Sequence, residues 1–231
     1  DFRVESDGNA NALFVDAQND HVNIGTATDH GGVLNVETTD NSVNLVLVST
    51  DTDGNEGPIL DLTRDAGNVP SDADQMGLIR FRNDNTDLVM HTYASIGAVV
   101  GDSSAGTEDG TLNIQTIVAG TARDRITIRA SGVVFNEESL DTDFRVESDS
   151  NTNMLFVDGG NNAVGIGTNS PTRKLSIYDA TTPYMALYDG SSGTTISDGF
   201  QVQFASSNAY LWNYENGFTA FGTNANERMR I

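Results

Sequence analysis

Cysteine is absent from the 231 residues and lysine occurs once, as Lys174. The first absence excludes a disulfide framework, thiolate catalysis and any cysteine-based metal site. Cations are scarce in general: 12 Lys and Arg stand against 33 Asp and Glu, for a net charge of −21. Such a surface repels phosphate, so nucleic acid is excluded as a partner and anionic lipid is disfavoured. Solubility and salt tolerance account for the acidity first, and a divalent cation is the one cofactor that it leaves open. No stretch of about 18 apolar residues is present, which argues against membrane insertion, and no secretion-signal pattern opens the chain. Proline is limited to 4 residues, and no Gly/Ser or Pro linker divides the chain. What remains, 37% apolar residues with 7% aromatics and 23 glycines, suits a folded chain with a lean core.

The chain also carries a repeat. Residues 1–26, from Asp1-Phe-Arg-Val through Leu13-Phe-Val-Asp to Ile24-Gly-Thr26, return at 143–168 with 18 of 26 positions identical. Near the end of each copy's module the chain reads Asp124-Arg-Ile-Thr-Ile128 and Glu227-Arg-Met-Arg-Ile231. The spacing predicts a first module at 1–142 and a second, shortened one at 143–231. Serial re-use of one cassette is the mark of an elongated protein, in which each unit need contact only its neighbours. With no initiator Met, the expectation is a window of a longer polypeptide, with both natural ends missing.

Apolar residues alternate with a period of two, as in Leu34 and Val36 or Leu112 and Ile114. Strands are expected there and at 2–6, 12–16, 43–49, 58–63, 77–82, 88–100, 125–129, 133–136, 174–178, 184–188, 200–204 and 209–214. Turns are expected at Asp7-Gly8, Asp53-Gly54, Asp109-Gly110, Gly159-Gly160, Asp189-Gly190 and Asp198-Gly199. No segment of a dozen residues has helical character. The fold class is therefore all-β. Exposed strand edges are an aggregation hazard that intertwining chains removes, so an elongated homotrimeric fibre is expected, built of triple β-helix, β-prism or trimeric β-sandwich stretches. Three copies would carry 3 × −21 = −63 charges.

Individual sites are weak. Gly101-Asp-Ser-Ser-Ala-Gly106 has a nucleophile-like serine, but His21, His30 and His91 are the only imidazole bases and sit in unrelated segments. Asp51-Thr-Asp-Gly-Asn-Glu56 resembles half of a calcium loop without its closing Glu, and a hairpin turn explains it as well. No pair of carboxylates is singled out for glycoside hydrolysis. Gly165 and Gly167 flank Ile166, as Gly25 follows Ile24, and this pattern suits an axial position where backbones approach symmetry mates and the apolar side chain faces the axis. An ordinary glycine-containing strand is the simpler alternative. Tyr210, Trp212 and Tyr214 fall on one face of a strand, where they would serve either as a glycan platform or as a subunit interface.

Val164-Gly-Ile-Gly-Thr-Asn-Ser-Pro171 followed by Lys174-Leu-Ser-Ile177 resembles the repeat signature of bacteriophage tail fibres and related virion appendages. Phe221-Gly-Thr-Asn-Ala-Asn-Glu-Arg-Met-Arg-Ile231 is similar to a segment that in such fibres precedes another copy of that signature. Gly57 to Asp65, Met76 to Phe81, Tyr93 to Ile96 and Gly106 to Gly110 resemble, in order, an insert common in them. The first copy departs from the pattern: Asn23 replaces the first Gly, and Ala27-Thr28 follows without proline. Similar proteins often end in an intramolecular chaperone that cleaves itself with a Ser–Lys pair, and no such domain lies in this sequence. The resemblance implies a non-enzymatic virion protein, located in the tail appendage and extracellular after release. It would space and present a receptor-binding tip, with itself, other tail proteins and a host-surface glycan or protein as partners. It also favours packing over glycan binding for the aromatic face. A bacterial surface adhesin or filament, and a polysaccharide-binding or -degrading tailspike, are the alternatives.

Overall fold

In the computed structural model all residues are described except Asn55, Glu56, Ala66, Asn68 and Val69. Eighteen strands and no helix occur among the described residues, so the chain is all-β. It divides into two compact units, Asp1–Asp61 and Leu62–Ile231.

The first unit is one four-stranded sheet, β1 (Phe2–Val4), β2 (Leu13–Asp16), β3 (His21–Ile24) and β4 (Leu34–Val36), paired in that order. β1, β2 and β3 run antiparallel, whereas β4 lies parallel to β3. The second unit opens with the antiparallel meander β5 (Gln75–Asp84), β6 (Met90–Asp102), β7 (Asp109–Val118), β8 (Thr121–Arg129) and β9 (Gly132–Phe135). It then repeats the first unit's plan in β10 (Phe144–Val146), β11 (Leu155–Asp158), β12 (Ala163–Ile166) and β13 (Leu175–Ile177). The register is the same in both: Phe2 faces Val15 as Phe144 faces Val157, and Ile24 pairs with Val36 as Ile166 pairs with Ile177. Near-identical sequence has produced the same ladder twice. A three-stranded sheet, β14 (Tyr184–Leu187), β15 (Phe200–Ala205) and β16 (Asn208–Asn213), and the hairpin β17 (Ala220–Thr223) and β18 (Asn226–Arg230) complete the unit.

The departure of the first copy from the pattern places a polar pair inside its sheet. Asn23 is fully buried, and its side-chain oxygen accepts a 2.6 Å hydrogen bond from Asn35 Nδ2. In the second copy Gly165 and Ser176 occupy these paired positions, and a Cβ on Gly165 would stand 2.2 Å from the Thr168 carbonyl oxygen. Both copies keep the following glycine left-handed, with φ of +85° at Gly25 and +79° at Gly167, and both have the next threonine hydroxyl accept the N–H two residues on.

Two expected strands do not form. Residues 43–49 and 58–63 are assigned no strand among the described residues, and Val43 and Val48 are 74% and 72% exposed. Alternation makes a strand only where a neighbour supplies the other half of the hydrogen bonds. Asp109-Gly110 is likewise no turn: it opens β7 opposite Asp102 and Val100. Of the six glycine turns expected, only Asp198-Gly199 carries a positive φ, +72° at Gly199.

Within each unit the strands of the described residues contact chiefly the neighbours they hydrogen-bond to. Phe156 and Ala163 are the only buried aliphatic or aromatic residues among those described, apart from Pro171, while Leu34, Phe81, Phe135, Leu175 and Phe204 are all at least half exposed. The chain exposes 17078 Å². A compact monomer of its 24.6 kDa would expose about 10,000 Å², or about 12,000 Å² as two separately folded halves. Some 5,000 Å² or more is thus surface that a self-sufficient fold would cover.

Candidate functional site

The sheet β14–β15–β16 has two faces of different chemistry, set by its register. Val202 pairs with Met185 and Leu211, Phe200 with Leu187, and Phe204 with Ala209, giving a face that is almost wholly aliphatic and phenyl. Gln203 pairs with Tyr184 and Tyr210, and Gln201 with Ala186 and Trp212, so the other face is a row of amides between tyrosines and a tryptophan. The three aromatic residues expected on one face are brought together there. Tyr210 and Trp212 lie with ring centroids 5.7 Å apart and planes 15° from parallel, and Tyr214 follows 6.2 Å beyond Trp212.

The glutamines escaped sequence reasoning. Their place beside the aromatics depends on the β15–β16 turn, whose two residues Ser206 and Ser207 adopt φ of +48° and +66° without a glycine to signal it. Gln201 is buried, and its Nε2 donates to the carbonyls of Ile196 at 3.1 Å and Asp198 at 3.4 Å. Its Oε1 accepts from Gln203 Nε2 at 3.4 Å. At the end of the sheet Gly199 makes room for the Tyr188 ring, which a Cβ would approach to 2.8 Å.

Two carboxylates brace β14. Before it, Asp179 accepts the Thr181 hydroxyl at 2.6 Å and the N–H groups of Thr181 and Thr182 at 2.8 and 3.0 Å. These bonds, the hydroxyl's first, favour the charged form and lower its pKa from 3.8 to about 2. After it, Asp189 is held below the carboxylate range chiefly by the Ser191 hydroxyl and then by the N–H groups of Ser191 and Ser192. A folded-state pKa depressed in this way contributes stability that is present above the unfolded value and lost as pH falls through the folded one. Asp179→Asn is therefore expected to be less stable than the wild type at pH 7, with the gap closing as pH falls from 3.8 towards about 2. Chemical denaturation across that range checks it, and a gap that stays constant would refute the assignment.

The glycines read as axial have an intrachain role. A Cβ at Gly25 would stand 2.2 Å from the Glu37 carbonyl oxygen, and one at Gly167 would stand 2.1 Å from that of Tyr178. The close approach assigned to neighbouring copies thus already occurs within the chain. Ile24 and Ile166 project outward, 41% and 42% exposed.

No histidine meets the nucleophile-like segment among the described residues. Ser103 donates its hydroxyl to Asp72 at 3.1 Å, and the Ser104 N–H donates to Asp102. His21 is paired with Asp29 and His30 with Glu37, both at 2.9 Å, and His91 meets Asn85. Among the described residues no group of three or more His, Asp and Glu is placed to hold a metal. The calcium-like stretch runs onto Asn55 and Glu56, which lie outside the described residues. A cleft of about 520 Å³ is an open polar hollow beside Pro171 and Arg173, where Lys174 Nζ donates to the Asn162 carbonyl. No family model matches the chain, and no curated protein matches it.

Proposed function

We propose that the chain is a structural, non-enzymatic segment of a phage tail fibre or comparable virion appendage, which assembles as a homotrimer and spaces and presents a receptor-binding tip. The observation that carries the reading is the uncovered apolar surface. Sheets whose only buried aliphatic or aromatic residues, among those described, are Phe156 and Ala163 leave much of the hydrophobic contribution to stability unrealised in one chain, and at about 25 cal/mol per Å² of apolar area the apolar part of the excess surface is a driving force for association. Further copies supply both the missing cover and strand partners for segment 43–49, which pairs as a strand with none of the described residues. The duplicated cassette, with one register in both copies, fits serial construction. Three chains side by side also multiply weak contacts at a host surface into useful avidity.

Light scattering on the chain, with an unheated SDS gel beside it, tests this. The expected result is the mass of three chains and resistance to SDS. A monodisperse species of 24.6 kDa would refute it and leave two independent β units.

A further inference from the structure

We propose that the amide-and-aromatic face of the β14–β16 sheet is a binding platform for an uncharged oligosaccharide, which would make this segment a recognition element in its own right and more than a spacer. The two faces of the sheet divide the labour. The aliphatic face, with Leu187 and Leu211 each 55% exposed, is the one whose exposure to water is costly and which assembly must cover. The opposite face already has polar groups to present.

Tyr210 and Trp212 lie near-parallel with ring centroids 5.7 Å apart, and Trp212 stays 45% exposed. An aromatic surface of this kind suits the apolar C–H face of a pyranose, while convergent amides orient its hydroxyls. Gln201 is pinned by the Ile196 and Asp198 carbonyls and receives one N–H of Gln203, so the Gln203 carboxamide is pre-oriented on the surface. Its oxygen accepts no hydrogen bond from the described residues. Burying it against an apolar subunit interface would strand that acceptor, whereas a sugar hydroxyl satisfies it. Tyr184, Gln201, Gln203, Tyr210, Trp212 and Tyr214 include no ionised side chain, and the chain's −21 charge repels acidic glycans. The ligand class is therefore neutral.

Trp212 is the only tryptophan of the chain, so its fluorescence reports this face alone. The full chain is titrated with maltohexaose, cellohexaose and chitohexaose, and acrylamide quenching is measured without sugar. The expected result is a quenchable Trp212 and a saturable emission change with at least one hexasaccharide at millimolar affinity or better, insensitive to salt. Gln203→Ala and Tyr210→Ala, each checked for an unchanged circular dichroism spectrum, should weaken that binding at least tenfold. No saturable change with any of the three sugars overturns the proposal, and so does a Trp212 shielded from acrylamide, which would mark the face as an interface. The outcome is independent of the tail-fibre reading: a monomer that binds sugar supports the platform alone, and a trimer that does not supports the fibre alone.

Discussion

Gly167→Ala is expected to destabilise the chain by about 2–4 kcal/mol, among the largest effects of any single methyl group here. Two costs combine. The residue holds φ at +79°, a region where an L side chain loses about 1–2 kcal/mol. The added Cβ would also meet the Tyr178 carbonyl oxygen at 2.1 Å, and that oxygen belongs to backbone that leaves β13 directly, so the parallel β12–β13 pair would have to part. Gly190→Ala is the control, since nothing lies within 4 Å of its Cβ position and its φ is not positive. Denaturation midpoints of the two variants decide the matter. Equal midpoints would mean that the turn yields freely, and that the glycine has another reason to be there.

Val202→Asp is expected to abolish self-association. Val202 lies at the centre of the aliphatic face, between Met185 and Leu211. A carboxylate buried there without a partner costs several kcal/mol, and each 1.4 kcal/mol is a factor of ten, so assembly should weaken at least a hundredfold. Light scattering should show the mass falling towards one chain. Gln203→Ala, one residue along the same strand but on the opposite face, should leave the mass unchanged. If Val202→Asp retains the full assembly and Gln203→Ala does not, the two faces have been assigned the wrong way round.

Much of this architecture was legible in the sequence, and the exceptions share a cause. Alternation marked β2, β4, β7, β9, β13, β14, β15 and β16, because a pleated strand with one apolar face must show it. The same alternation at 43–49 and 58–63 promised strands that are not formed among the described residues, since a ladder belongs to a pair and sequence reports only one member. Hairpins were hidden for a different reason. The turns at Ala119-Gly120, Ser206-Ser207 and Asn224-Ala225 all place two successive residues at positive φ, yet only one of the six is glycine. Without those turns the register could not be read, and it is the register that sets Gln201 and Gln203 beside Trp212. The aromatic strip needed nothing but the two-residue period and was visible from the start.

In each four-stranded sheet one pairing, β3 with β4 and β12 with β13, is parallel, and the rest are antiparallel. A four-strand meander with only antiparallel steps would bring the chain out at the end where it went in. The single parallel step reverses that parity: β10 and β13 point the same way, so the chain enters at one end of the sheet and leaves at the other. The cassette is thus a through-connector and not a U-turn, a property that any tile must have if copies are to be joined head to tail without doubling back. Its cost is the short crossover of residues 167–174 and the left-handed glycine that begins it. Lengthening a protein made of such tiles requires only another insertion between an exit and the next entry, whatever lies in between.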